Sequence, residues 1–282
     1  MQKLFNHILI PLDLSSGSRH VIDKAIDIAR QYKCHIHLLH VATLSSFSAV
    51  AMAEGHMSIP YDLIDNFTEL EFQIKKTAGY IQTMSKGNIK VDYSILRGSW
   101  DETIIYLVNE RNVDLVMIGQ EGRIIKKRKM QINPDKIAAK TNVPVLTVPS
   151  NRRMTRLYSI VIPITDFLPV KKLLYGIYIA STYTTTVKLL GIETKATKDK
   201  VFMYLTKAHQ LIQENSTVKV EKEIVYNENI AEAVNDFAMT HAADLVIVNP
   251  GSQSVMPGFL SALWGNIIQK YATPPVLTVN PV

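Results

Sequence analysis

Short apolar runs alternate along this chain with longer segments in which apolar residues recur at helical spacing. The run from His7 to Leu12 is almost continuously apolar and ends at Asp13, and the apolar positions between Val21 and Ala29 then follow one face of a helix. Apolar runs without polar alternation are typical of strands buried on both faces of a parallel sheet, with helices connecting them. The pattern therefore predicts an α/β fold.

The first half contains five such strands, separated by helices. Residues 43–60 are rich in Ser, Ala and Met and show no clear period, which predicts a loop. The predicted strands are 7–12, 35–41, 91–96, 115–118 and 145–148, and the predicted helices are 21–32, 61–84, 102–111 and 136–140.

The same order of segments recurs in the second half. The matching pairs are 7–12 with 159–164, 113–118 with 243–248, and 144–148 with 275–279. A repeat of this length indicates two copies of one domain. The basic linker at 151–153 separates a first domain, 1–150, from a second domain, 155–282.

Composition narrows the class of protein further. The chain has 282 residues, enough for two domains that each bury a core. Its one cysteine, Cys34, excludes an intramolecular disulfide and a zinc site made of cysteines, and it fits a reducing cytoplasm. The apolar stretches are too short for a membrane span, and the first of them is broken too early for a signal peptide. We therefore expect a cytoplasmic protein without membrane association.

The glycine turn after the fourth strand is the candidate phosphate site. The net charge of the chain is +6, which suits anionic ligands. After the turn from Gly119 to Gly122 come Arg123 and the basic run 126–129. Glycine lets backbone N–H groups approach an anion, and a helix that begins nearby adds partial positive charge. The basic residues are not interleaved with aromatic ones, so nucleic acid is not expected as a partner.

The order, spacing and duplication of these segments together resemble the universal stress protein family, in its tandem form. In the first copy the resemblance rests on residues 8–13, 38–41, 97–98, 114–122 and 144–148. It implies two doubly wound, Rossmann-like parallel sheets of five strands each, in the order 3-2-1-4-5, similar to the adenine nucleotide alpha hydrolases. It also implies a pseudo-dimer of the two domains through their fifth strands, 145–148 and 276–279. A homodimer is the alternative, and a protein partner of unknown identity is expected.

Ligands of such sheets bind beyond the carboxyl ends of the strands, at the point where the strand order reverses. In this chain that point lies between Asp13 and Gly119. The resemblance places Asp13 against an adenine ring and the backbone of Val41 against the same base. The candidate ligand is ATP or another adenine nucleotide, in the first domain only, with no metal beyond the magnesium that accompanies a nucleotide. The candidate binding residues are Pro11, Asp13, Val41, Gly119, Gly122 and Arg123.

The sequence departs from the ATP-binding branch of the family in both copies. That branch has Gly-x-x-Gly, nine residues, and then Gly-Ser or Gly-Thr, whereas this chain has Gln131, Ile132 and Asn133 around the second position. In the second copy Asn249-Pro250-Gly251-Ser252 replaces the glycine turn, and Pro250 removes a backbone donor. We expect no nucleotide in the second domain, which would serve as a structural partner or an interaction surface.

Other chemistry receives less support from the residues. His35 and His37 share one face of a strand while His40 points to the other, so the three cannot converge on one metal ion. No single motif contains a nucleophile next to a base, so no enzymatic activity is predicted. The chain is expected to act in the stress response by binding. The alternatives are a nucleotide-free interaction module of the non-ATP branch and a weak ATPase.

Overall fold

The computed structural model describes residues 5–14, 18–42, 61–119, 132–149, 157–250 and 274–281, with the side chains of 61–66 left aside. The predicted loop 43–60, the linker 151–153 and two candidate site residues, Gly122 and Arg123, lie outside the described residues. Among the helices of the described part, none combines the length and the apolar character that a membrane span requires.

The chain divides into two compact units, residues 1–132 and 133–282. The described elements of the first unit are β1 (His7–Pro11), α1 (Arg19–Tyr32), β2 (His35–Ala42), α2 (Tyr61–Met84), β3 (Val91–Arg97), α3 (Trp100–Glu110) and β4 (Leu115–Gly119). Its strands lie in the order β3-β2-β1-β4, and each neighbouring pair is parallel.

The second unit contains the end of the first repeat and the whole of the second. Its described elements are α4 (Pro134–Thr141), β5 (Val145–Val148), β6 (Ser159–Ile164), α5 (Val170–Tyr183), β7 (Thr186–Glu193), α6 (Lys198–Asn215), β8 (Val220–Tyr226), α7 (Ile230–Thr240), β9 (Leu245–Val248) and β10 (Val276–Thr278). The strand order is β8-β7-β6-β9-β10-β5. Within the described residues of this unit, β10 pairs with β5 in the antiparallel sense, and the other neighbouring strands are parallel.

The predicted doubly wound α/β fold is confirmed. Every strand predicted from the apolar runs is present, and the second repeat shows the order 3-2-1-4-5 as β8-β7-β6-β9-β10. The units divide earlier than the repeats, because β5 belongs to the first repeat by sequence but pairs with β10 of the second. The domain ranges 1–150 and 155–282 describe the repeats and stay a prediction.

Burial explains why the inner strands read as apolar runs. Ile8, Leu9 and Ile10 of β1 have no exposed surface, so both faces of this strand are covered. The outer strand β8 instead exposes three consecutive charged residues, Glu221, Lys222 and Glu223. Residues at the carboxyl end of β1 therefore follow a strand segment that is packed on both faces.

A carboxylate ties the fourth strand of each repeat to the first. The side chain of Asp114 accepts hydrogen bonds from the backbone N–H groups of Asn6, at 2.8 Å, and His7, at 3.0 Å. In the second repeat Asp244 accepts from Tyr158, at 2.7 Å, and Ser159, at 3.1 Å. Each carboxylate satisfies two donors at the start of an inner strand and thereby aligns that strand with its neighbour.

Removal of this carboxylate should destabilise the first unit. We expect Asp114→Ala to lower the free energy of unfolding by about 2 kcal/mol, since charged hydrogen bonds to two backbone donors are lost. The measurement is urea denaturation followed by circular dichroism. Asp114→Asn keeps one acceptor oxygen and serves as the control, with a smaller expected loss. Equal stability of Asp114→Ala and the wild type would show that the carboxylate does not hold the strands together.

Candidate functional site

The candidate residues within the described part meet at the carboxyl edge of the first sheet. Pro11 ends β1, Val41 lies near the end of β2 and Gly119 ends β4, while Asp13 follows β1 directly. The strand β1 lies between β2 and β4, so the strand order reverses beside it. Pro11 and Val41 are buried, whereas Asp13 and Gly119 are partly exposed. These four predicted residues therefore lie at one edge of the sheet, where two of them are buried and two are accessible to a ligand.

Asp13 closes the turn that leads from β1 into α1. Its carboxylate accepts a hydrogen bond from the Ser18 hydroxyl at 2.6 Å. The intervening Leu14 has a left-handed backbone with φ of 57°. Part of the hydrogen-bonding capacity of Asp13 is therefore used to shape the turn.

His40 supports this turn from below. Its Nδ1 lies 2.8 Å from the carbonyl oxygen of Leu12, to which it donates, and its ring meets that of Trp100 edge-on at 5.8 Å. Burial lowers the pKa of His40, and the Leu12 carbonyl and the Asp13 carboxylate oppose this only in part. The neutral imidazole thus fixes the end of β1 without adding charge to the candidate site.

Gly119 lets the start of α1 approach the end of β4 closely. A β-carbon at this position would come within 3.0 Å of Val21 Cγ2 and 3.5 Å of His20 Nε2. The second distance is an ordinary van der Waals contact, whereas the first would require Val21 to shift by a few tenths of an ångström. Packing therefore favours a glycine at this position.

His20 is a candidate site residue that the sequence did not reveal. Its Nε2 is buried and has no hydrogen-bond partner within the part of the chain that the structure describes. Buried polar atoms are nearly always satisfied, so the partner of this one lies outside the described residues, and a ligand at the strand-order reversal is one such partner. A single histidine at the start of a helix has no sequence signature, and only its place beside Gly119 distinguishes it.

A cavity of about 490 Å³ adjoins the turn after β1, between α1 and α2. This volume is within the range of small-molecule sites. Two cations line it, Arg19, whose guanidinium lies 4.6 Å above the ring of Tyr80, and Lys76. The other lining residues are Leu12, Leu14, Ser18, Ile22, Glu69, Phe72, Gln73 and Thr77. The lining therefore combines apolar walls with two cations and one carboxylate, that of Glu69.

The second glycine position of the ATP-binding pattern is occupied differently. Ile132 is buried, and Asn133 caps α4 by accepting a hydrogen bond from the backbone N–H of Lys136 at 3.1 Å. The asparagine thus satisfies its own helix, and the isoleucine offers no hydrogen-bond donor from its side chain. Neither side chain therefore supplies the glycine and hydroxyl pair that the ATP-binding pattern has at this position.

In the second repeat, Lys172 stands where the first repeat has His20, and Asn249 stands in place of Gly119. The Lys172 ammonium is buried and donates to the carbonyl oxygen of Pro163 at 2.8 Å. Burial lowers the pKa of Lys172 to about 7. The Asn249 side-chain oxygen is buried without a described partner. A lysine and an asparagine thus stand near the ends of β6 and β9, where the first repeat has a histidine and a glycine.

The buried lysine should make stability depend on pH. Between pH 7 and 10.5 the unfolded chain keeps a proton that folded Lys172 has lost, so the wild type gains stability as the pH rises through this window. We expect Lys172→Met to be about 1–4 kcal/mol more stable than the wild type at pH 7, as is common when a buried charge is replaced by an apolar side chain of similar size.

That advantage of Lys172→Met should shrink toward pH 10, as measured by urea denaturation at several pH values. The exposed Lys200 on α6 provides the control, since Lys200→Met should differ little from the wild type at any pH. A stability difference between Lys172→Met and the wild type that stays constant from pH 7 to pH 10 would contradict the lowered pKa of the buried Lys172.

Comparison with known proteins identifies the family. The model of the universal stress protein family matches residues 4–149. Universal stress protein A homolog 1 of Coxiella burnetii is 31% identical over 121 residues, which are 42% of this chain and 78% of that protein. Universal stress protein A of Salmonella typhi is 29% identical over 121 residues, 41% of this chain and 75% of that one.

A solved structure covers both repeats. The crystal structure of a universal stress protein from Archaeoglobus fulgidus matches with a TM-score of 0.71, covers 98% of each chain, and is 17% identical. At this identity it shows the fold alone. The match of the family model to residues 4–149 confirms the resemblance read from the sequence, and the chain belongs to the universal stress protein family.

Proposed function

We propose that the protein acts by binding, and that its first repeat holds an adenine nucleotide at the strand-order reversal between β1 and β4. The observation that carries this proposal is the unsatisfied Nε2 of His20 beside Gly119, because a polar atom of a ligand would satisfy it. The positions of Asp13 and Val41 at the same edge support the adenine assignment, since the family resemblance gives both residues to the base.

The replaced glycine–serine pair limits what the phosphates can contribute. Ile132 and the capping Asn133 supply fewer oriented donors than the family pattern, so the affinity should depend weakly on the number of phosphates. The ligand is then ATP or a shorter adenine nucleotide, bound without chemistry on it. We place this activity in the cytoplasm, where a chain with the single cysteine Cys34 fits the reducing conditions.

A nucleotide-free interaction module is the second candidate function. It is favoured by the same two residues, Ile132 and Asn133, because the phosphate-binding half of the pattern is absent. Weak ATP hydrolysis, the third reading, requires release of phosphate from ATP by the pure protein. The three readings therefore separate on whether a nucleotide binds and whether it is cleaved.

Isothermal titration with ATP and with AMP tests the binding proposal. We expect similar affinities for the two nucleotides, and a loss of about tenfold in His20→Ala, equivalent to one hydrogen bond of about 1.4 kcal/mol. His209→Ala, on α6 of the second unit, is the matched control and should bind like the wild type. No heat with either nucleotide at millimolar concentration would favour the nucleotide-free module, and a binding-competent His20→Ala would remove His20 from the site.

We also propose that the two repeats form a pseudo-dimer within one chain, through their fifth strands. The antiparallel pairing of β5 with β10 supports this, with Leu146 opposite Leu277 and Thr147 opposite Val276. These residues are buried, so the pairing contributes apolar burial as well as backbone hydrogen bonds. A homodimer of whole chains would need a different surface, and a protein partner is expected to bind outside the paired strands.

Cleavage between the repeats tests the pseudo-dimer. A protease site inserted between residues 150 and 155 should yield two fragments that still elute together on size exclusion, because β5 and β10 hold them. The variant Leu277→Pro loses a backbone donor in the shared strand pair and should release the fragments. Separation of the fragments in the cleaved protein without this substitution would overturn the proposal.

A further inference from the structure

A serine, a histidine and an aspartate are hydrogen-bonded in series on the neighbouring strands β2 and β3. The Nε2 of His37 lies 3.0 Å from the hydroxyl oxygen of Ser94, and its Nδ1 is hydrogen-bonded to the Oδ1 of Asp92. His37 is on β2, and the other two residues are on β3, two positions apart. The sequence did not reveal this group, because its members come from two separate segments.

The carboxylate of Asp92 determines which nitrogen of His37 carries the proton. An ionised carboxylate only accepts hydrogen bonds, so Nδ1 donates to it and Nε2 has a free lone pair. The Ser94 hydroxyl then donates to Nε2. This is the arrangement of a nucleophile, a general base and an orienting carboxylate, which is recognised by geometry and not by sequence position.

The surroundings keep His37 neutral and Asp92 in place. His37 is 6% exposed, and burial lowers its pKa. The positive charges of Arg111 and His35 lower this pKa further, whereas the carboxylate of Asp92 raises it. The guanidinium of Arg111 lies 3.7 Å from the other carboxylate oxygen of Asp92, and His35 lies 3.5 Å from Oδ1. A neutral imidazole can accept a proton at neutral pH, so the base is in its active form.

Ser94 is accessible from the open edge of the sheet. It is partly exposed, and β3 has no second neighbouring strand among the described residues. In the parallel register with β2, Ile36 pairs with Val91, so the N–H groups of Asp92 and Ser94 point toward β2. The N–H of Ile95, the residue after the serine, points to the open edge. It can donate to an oxygen that becomes negative next to Ser94.

We propose that Ser94 is an activated nucleophile that accepts an acyl group from small activated esters or thioesters. The Ser94 oxygen bonds to the carbonyl carbon of the donor as its proton passes to Nε2 of His37. The Ile95 N–H stabilises the carbonyl oxygen of the tetrahedral intermediate. The bond to the alcohol or thiol then breaks, and that group leaves with the proton from His37. The products are an ester of Ser94 and the free alcohol or thiol, with no change of oxidation state.

This acylation site is independent of the proposed nucleotide site. Its residues, His37, Asp92 and Ser94, lie on β2 and β3, and none of them is among the candidate nucleotide-binding residues. Acylation of Ser94 requires neither the binding nor the cleavage of a nucleotide. A negative result for one proposal therefore leaves the other unaffected.

Covalent labelling of the whole chain tests the proposal. Incubation with p-nitrophenyl acetate should release nitrophenol and add one acetyl group, and a fluorophosphonate probe should add one phosphonyl group with loss of fluoride. Peptide mapping by mass spectrometry should place both adducts on Ser94. Ser94→Ala should abolish them, and Asp92→Asn should slow labelling about 100-fold, since the orienting carboxylate is lost.

The control is Ser181→Ala, which removes an exposed serine of α5 and should leave labelling unchanged. Circular dichroism of each variant checks that it is folded, and Asp92→Glu, which keeps a carboxylate, should recover part of the rate if the role is chemical. A wild type that is not labelled, that is labelled at another residue, or that reacts no faster than Asp92→Asn would overturn the proposal.

Discussion

The carboxylate of Asp114, with its counterpart Asp244, is the interaction on which the rest of each sheet depends. Each joins two neighbouring strands that are far apart in sequence, as the separation of 108 residues between Asn6 and Asp114 shows. Parallel strands rise by about 3.3 Å per residue, so strands aligned at one end finish together at the other. Asp13 and Gly119 therefore meet at one edge because Asp114 aligns β1 with β4.

The two repeats keep this scaffold and differ where the strands end. In the first, a glycine and a histidine stand beside the reversal of strand order, and the histidine Nε2 has no hydrogen-bond partner among the described residues. In the second, Asn249 and the buried Lys172 occupy the corresponding positions. A parallel sheet can hold either set, because the residues beyond the strand ends contribute little to the buried core. The two copies therefore share one scaffold and present different side chains at the ends of their strands.

The strand β2 links the candidate nucleotide site with the proposed acylation site. Its side chains alternate between the faces of the sheet, so His37 and His40 meet different partners. Both are buried, and a buried histidine must find hydrogen-bond partners. His40 finds the carbonyl of Leu12 and supports the turn at Asp13, whereas His37 finds Asp92 and Ser94. The need for hydrogen-bond partners thus explains both the support that His40 gives to the turn at Asp13 and the contact of His37 with the serine that we propose as the nucleophile.

By itself the sequence determined the strands, the helices, the repeat and the family. Apolar runs indicate strands that are buried on both faces, and the duplicated order of segments indicates a second copy of the domain. Both signals can be recognised within the sequence itself. It also located Asp13, Val41 and Gly119, because their spacing follows the ends of the strands. Only the tertiary structure decided that His20 lies beside Gly119, that Lys172 is buried, and that His37 joins Asp92 to Ser94. Those contacts arise between segments that crossover connections bring together, and hydrophobic periodicity carries no information on which side chains then meet.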